Sequence, residues 1–291
     1  MRMPVGDTIE GAFSFTFRSF LSVIGTVWFP FLVAGAIIGG AAYLLHPDWN
    51  AFFAPKNDPA ATLAALKAFG GLYALGWLVM LVTYAMVRVG LMRKALGLHE
   101  GPVFIFYSLG PAVWRLIGAY ILLSLIFVVL VSLDVLGCMA LVAMSSSAIP
   151  APWSYLADAV IIVAAVVAPV YVVARMVFFV PAVVVAEERI GIGRSWELGG
   201  SNVLRIILVM LTLVICVNFV FGIASMFFMP QFPVFSAHLD PQVIAKWEFG
   251  QFRNPALIVI FILQGIFLSA LNTGAQASAY RAVTSAEGPA S

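Results

Sequence analysis

The sequence predicts an all-α, polytopic transmembrane bundle of six spans, arranged as three helical hairpins with interfacial cytoplasmic helices. Three observations predict it. Of 291 residues, 63% are hydrophobic and 10% charged, where a soluble domain shows about 45–50% and about 25%. The apolar residues form six stretches of the ~20-residue length that a bilayer requires. The charges fall between those stretches. Continuous runs rather than alternation argue against strands, and a helix satisfies its own backbone groups in lipid. No linker or low-complexity tract divides residues 1–291, so one integral-membrane domain is expected.

The spans are expected at Phe20–Leu45, Phe69–Leu91, Val113–Met144, Tyr155–Val185, Val203–Met229 and Ala256–Val283. The first is too long for the h-region of a signal peptide. Eleven of the 15 Lys and Arg residues lie in the N-terminal segment, in the second and fourth gaps or the span ends that border them, and at the C-terminal end of span six. The positive-inside rule then puts both termini in the cytoplasm. Trp28, Trp77, Trp114, Trp153 and Trp247 lie in or near span ends, as an aromatic belt requires. Cys138 and Cys216 read as small apolar fillers, not a disulfide.

The approach to span one carries Asp7 as a candidate N-cap, with Glu10 completing a capping box. Ile9, Phe13, Phe17 and Phe20 share one face, which suits a helix lying in the membrane interface. The approach at residues 192–202 is amphipathic in the same way. Asp58-Pro59 and Asp240-Pro241 read as outer-loop helix starts, the second opening a short helix over Gln242–Phe252. In span four, Pro169 and Pro181 bracket Arg175, and Pro181 bends the chain, so that Phe178–Val185 is either a kinked helical end or a shallow interfacial piece.

The hairpins look related. Arg18, Arg115 and Arg205 open them, and Tyr84 with Arg88, Tyr171 with Arg175, and Tyr280 beside Arg281 close them. A threefold pseudo-repeat fits this pattern. So does the need of any hairpin for a cation at each cytoplasmic end.

Polar groups inside spans are the candidate functional residues, because each is costly there. Asp134 lies roughly 28 Å beyond Arg115, near the outer boundary. It is either an interfacial carboxylate on an overlong helix or a proton- or substrate-binding group. Arg175 lies near the inner boundary, as a snorkelling anchor or as the partner of a helix-end carbonyl or a Glu. Asn218 and Gln264 lie at similar depth on adjacent antiparallel spans. A hydrogen bond between them holds that hairpin together, or they line a midplane transport site with Asn272. Gly35-x-x-x-Gly39 has the close-packing pattern of membrane helices.

No phosphate loop, nucleophile elbow, H-E-x-x-H or C-x-x-C occurs, so no catalytic set, cofactor or metal is expected. The matched outer-loop pairs His46 with Asp48 and His238 with Asp240 read as ordinary polar loop residues, with a divalent-metal site the rival reading. The expected partner is the lipid bilayer, with other membrane proteins beside it. A net charge of +2 gives no case for nucleic acid. Nothing in the sequence specifies an oligomeric state.

The most distinctive passage runs from Arg175 to Ile206. It holds Pro181-Ala182-Val183-Val184, the acids Glu187 and Glu188, and Arg194-Ser195-Trp196 with Leu198. It resembles a bacterial family of integral-membrane proteins related to the membrane domain of glycerophosphoryl diester phosphodiesterase, and the ending Ala279-Tyr280-Arg281 looks similar too. The resemblance covers about thirty residues. It covers the membrane part only, with no phosphodiesterase domain, and so does not imply phosphodiesterase activity. Read physically, Arg194, Ser195 and Trp196 offer a donor fork, a capping hydroxyl and an amphipathic ring. Glu187 and Glu188 stand near enough to Arg189 and Arg194 for an interfacial acid–base cluster. The chain is therefore expected to be a non-enzymatic bacterial inner-membrane protein, an accessory or scaffold in envelope homeostasis. The rival reading is a transporter or lipid-handling protein with a cavity between hairpins.

Overall fold

A computed structural model describes residues 2–45, 59–99, 104–229 and 254–285. Among them the helices are α1 (Val5–Arg18), α2 (Phe20–Leu45), α3 (Pro59–Ala95), α4 (Pro111–Ala148), α5 (Trp153–Val177), α6 (Val180–Ala186), α7 (Ile192–Gly199), α8 (Val203–Met226) and α9 (Pro255–Thr284). The described residues contain no strand. Six segments are long and apolar enough to cross a membrane. The chain is a multi-pass helical membrane protein, and α2 coincides with the first expected span to the residue. His46, Asp48, Asp58, His238, Asp240 and the expected helix Gln242–Phe252 lie outside the described residues.

Local chemistry sets the helix ends. Gly97 takes φ 75° just past α3. The N–H of Leu98 reaches the Arg93 carbonyl at 2.8 Å and that of Gly97 the Lys94 carbonyl at 3.1 Å, the paired bonds of a Schellman stop. Of the two forms open to Phe178–Val185, the chain takes that of a separate short piece. The helix breaks after Val177, and Pro181 sits in the first turn of the separate helix α6, where its missing N–H costs nothing. Asp7 is not an N-cap. Helix α1 starts at Val5 with Pro4 before it, and Asp7 lies in the first turn, where its charge suits the helix dipole.

The chain divides into two compact units: Met1–Phe20 with Val166–Phe179 and Gly193–Ser291, and Leu21–Ala165 with Val180–Ile192. In the first, α9 is the central helix. Its second half, from Ala270 through Val283, is almost wholly buried. Helix α1 runs antiparallel along that half, with Gly11 against Ser278, Ala12 against Gly274, and Phe17 and Phe20 against Phe267. The face that α1 buries is the small one, Thr8, Ala12 and Thr16. Phe17 on its flank stays 63% exposed. Of the apolar stripe only Phe17 is exposed, with Ile9, Phe13 and Phe20 half-buried, while small side chains let two helices approach closely. Helix α8 pairs with α9 along its length, and Phe221 packs on Phe267.

In the second unit α3 packs on α4, and the short helix α6 packs against both. Every α6 residue from Val180 to Val185 is buried. Gly90 meets Thr26 of α2 and Phe106. The Trp28 indole donates to the Phe104 carbonyl at 2.8 Å.

Burial is uneven along the spans. In α2, α4 and α8 it concentrates in the first half, and in α3 and α9 in the second. The opposite halves present apolar side chains outward. That division suits a bilayer, where lipid covers an apolar helix as well as protein does.

Candidate functional site

The passage with the family-like signature is built around Arg175, on the last turn of α5. Its guanidinium lies over the Trp196 ring, 3.8 Å from the centroid. Its Nε donates to the Trp196 carbonyl oxygen at 3.1 Å, and its Nη1 to the Tyr171 hydroxyl at 3.4 Å. Stacking and hydrogen bonding together clasp α7 to the end of α5. A planar guanidinium alone among cations does both at once. Arg175 thus partners a carbonyl in the last turn of α7 while itself half-buried.

Two glycines make the clasp possible. A Cβ on Gly199 would lie 2.6 Å from the Arg175 carbonyl oxygen, and one on Gly200 2.8 Å from Arg175 Nη2. The first obstacle is backbone and cannot move aside. Adjacent glycines after an amphipathic helix were the available signal, and sequence reasoning gave them no role.

Beyond the clasp, the chain turns into α8 at Asn202, which is buried. Asn202 Oδ1 accepts from the Met3 backbone N–H at 2.7 Å, and its Nδ2 donates to the Leu198 carbonyl at 3.1 Å. One side chain thus ties the start of α1, the end of α7 and the start of α8. Ser195 does not cap a helix. Its hydroxyl is buried, and Ser195 Oγ meets no hydrogen-bond partner among the described residues.

The charges around this passage are paired, each pair with one well-exposed and one partly covered partner. Arg194 reaches Glu197 at 3.4 Å, with the Glu197 side chain 68% exposed. In the other unit Glu187 pairs with Arg189, and Glu188 lies 3.5 Å from Arg115. Exposed pairs like these contribute about 0–1 kcal/mol each. Glu188 adopts φ 53° just past α6, a left-handed conformation disfavoured by roughly 1–2 kcal/mol outside glycine.

Of the polar span residues, the structure brings Asn218 and Gln264 together. Gln264 Nε2 donates to Asn218 Oδ1 at 3.0 Å, and Asn218 Nδ2 donates to the Val214 carbonyl at 2.8 Å. The amide pair links α8 to α9, with Asn218 exposed on that seam. Asn272 is buried nearer the Arg281 end, one turn from Gln276. Asn272 Oδ1 and Gln276 Oε1 meet no partner among the described residues. Asp134 belongs to the second unit and makes no hydrogen bond or ion pair with the described residues. Asp158 was missed in the sequence. It accepts a hydrogen bond from Ser145 and closes the turn between α4 and α5.

Gly35 and Gly39 do not pack closely, because nothing lies within 4 Å of a Cβ built on either. Both cysteines are free. No group of three or more His, Cys, Asp or Glu that would suit a metal occurs among the described residues. Compared with protein-family models, curated proteins and solved structures, the chain matches none, so its site stands on its own geometry.

Proposed function

We propose that the chain is a non-enzymatic accessory or scaffold protein of the bacterial inner membrane, with both termini in the cytoplasm and a role in envelope homeostasis. We place it with the integral-membrane family related to the membrane domain of glycerophosphoryl diester phosphodiesterase, on the strength of residues 175–206. The observation that carries the reading is the clasp. The most distinctive residues of the passage, Arg175 and Trp196, are spent on fixing α7 against the end of a span. What α7 then presents is the Arg194–Glu197 pair and the Trp196 edge. A short helix held rigidly, with its charges outward, is suited to recognition by another protein. Its groups serve packing rather than a reacting centre.

The test is site-specific photocrosslinking in living cells. A photoreactive residue at Glu197 should give a discrete protein adduct. The same residue at Val163, on the exposed apolar face of α5, should crosslink to lipid. Equal protein adducts at both positions, or none at Glu197, would remove the scaffold reading.

A further inference from the structure

We infer that Phe104–Leu109, the segment leading into α4, is a membrane-interface anchor whose exposed side chains insert among the lipid headgroups on the side where α3 ends. The segment is not helical, and exposure alternates along most of it. Phe104, Ile105, Tyr107 and Leu109 are exposed, while Phe106 and Ser108 are partly covered. A chain of this pattern turns one set of side chains to its own fold and the other away from it. The outward set carries no charge.

Three contacts fix the segment beside the spans of its own unit. A Cβ on Gly90 would lie 2.8 Å from the Phe106 ring and 2.7 Å from the Thr26 methyl group, so the ring fills space that glycine leaves open on α3. The Phe104 carbonyl accepts from the Trp28 indole at 2.8 Å. The Tyr107 ring meets Phe29 edge-on, with centroids 6.1 Å apart. Gly90 lies five residues before the end of α3, about 7.5 Å along the axis. The segment therefore folds back along the helices instead of standing away from them. Both helices are apolar enough there to cross a membrane. A soluble partner does not reach that level, whereas lipid surrounds it.

The backbone limits the depth. Irregular chain facing lipid tails would leave peptide groups unpaired, which the hydrocarbon forbids. The headgroup layer supplies water to such groups. It is also where amphipathic rings are most favourable, and Trp28, Tyr107 and Trp114 are all exposed. Arg93 and Lys94 lie in the last turn of α3, and Arg115 in the second turn of α4. Cations thus flank the anchor where the two spans leave the hydrocarbon. The anchor goes beyond the scaffold reading and does not rest on it.

The test reconstitutes the full chain in vesicles whose phospholipid carries a photoactivatable diazirine in one acyl chain. The diazirine lies near the glycerol end in one set and at the methyl end in the other. Labelled peptides are mapped by mass spectrometry. Residues 104–109 should be labelled severalfold more by the glycerol-end probe than by the methyl-end probe. Residues 160–167, mid-helix in α5 and mostly exposed, should show the opposite order and serve as the depth reference. Ile105→Asp combined with Leu109→Asp should lower the label at 104–109 severalfold and leave that at 160–167 unchanged. No label at 104–109 from either probe would mean that water or another protein covers the segment, and overturns the anchor. Stronger methyl-end label there overturns the interfacial depth. Label unchanged in the double variant overturns the role of the outward side chains. The wild-type comparison decides the question even if the double variant fails to fold.

Discussion

Arg175 and Trp196, twenty-one residues apart, meet twice: guanidinium over indole at 3.8 Å, and Nε to carbonyl oxygen at 3.1 Å. Arg175→Lys keeps the charge but loses the plane and the fork. The exposed cation–π contact is worth about 0.5–1 kcal/mol and the hydrogen bond about 1 kcal/mol. We expect thermal unfolding in detergent to show a loss of about 1–2 kcal/mol, and Trp196 emission to change. Lys67→Leu, on the exposed part of α3, should show neither effect.

The glycines divide into three classes. Gly199→Ala should destabilise strongly, since its Cβ meets the Arg175 carbonyl oxygen. Gly274→Ala should do the same, with the Ala12 Cα at 2.9 Å. Gly11→Ala should be milder, because its obstacle is the rotatable Ser278 hydroxyl. Gly35→Ala should be neutral or stabilising by up to about 1 kcal/mol, because alanine favours the helix. Melting temperatures of the four variants check the order.

The amide pair invites a double-mutant cycle. Asn218→Leu and Gln264→Leu, alone and together, should show a coupling near 0.6 kcal/mol and no more than about 1.7. Zero coupling would mean that the hydrogen bond contributes nothing to the α8–α9 seam.

Asn202→Ala should release the start of α1 without releasing its middle. The Met3 N–H loses its acceptor, at a cost of about 1–3 kcal/mol if it stays buried. Hydrogen exchange should rise at residues 3–8 and hold near Ala12, which still packs on Gly274. Uniform acceleration along α1 would contradict that division.

Much of this architecture is legible in the sequence, because a bilayer imposes a length and a polarity on each span. The boundaries of α2 and the starts of α8 and α9 follow from that constraint within a residue. Depth arithmetic at 1.5 Å per residue also puts Asn218 level with Gln264. The packing of α1 on α9 was not legible. Thr8, Ala12 and Thr16 look like the weak face beside a phenylalanine stripe, and only a partner helix shows that smallness is their use. The glycines misled for the same reason. The spacing of Gly35 and Gly39 matches a motif, yet close approach occurs at Gly199, Gly200 and Gly274. Asp158 was hidden in an apolar run, because its partner Ser145 lies across a turn.

The proposed function requires that the clasp hold α7 on the cytoplasmic side, with Glu197 outward. Cysteine accessibility tests it most directly, in a chain whose Cys138 and Cys216 are first replaced by alanine. Ser147, exposed at the end of α4, serves as the outer marker. With a membrane-impermeant maleimide, Ser147→Cys should label in intact cells. Glu197→Cys should label only in inverted vesicles. Labelling of Glu197→Cys from outside intact cells would contradict the account.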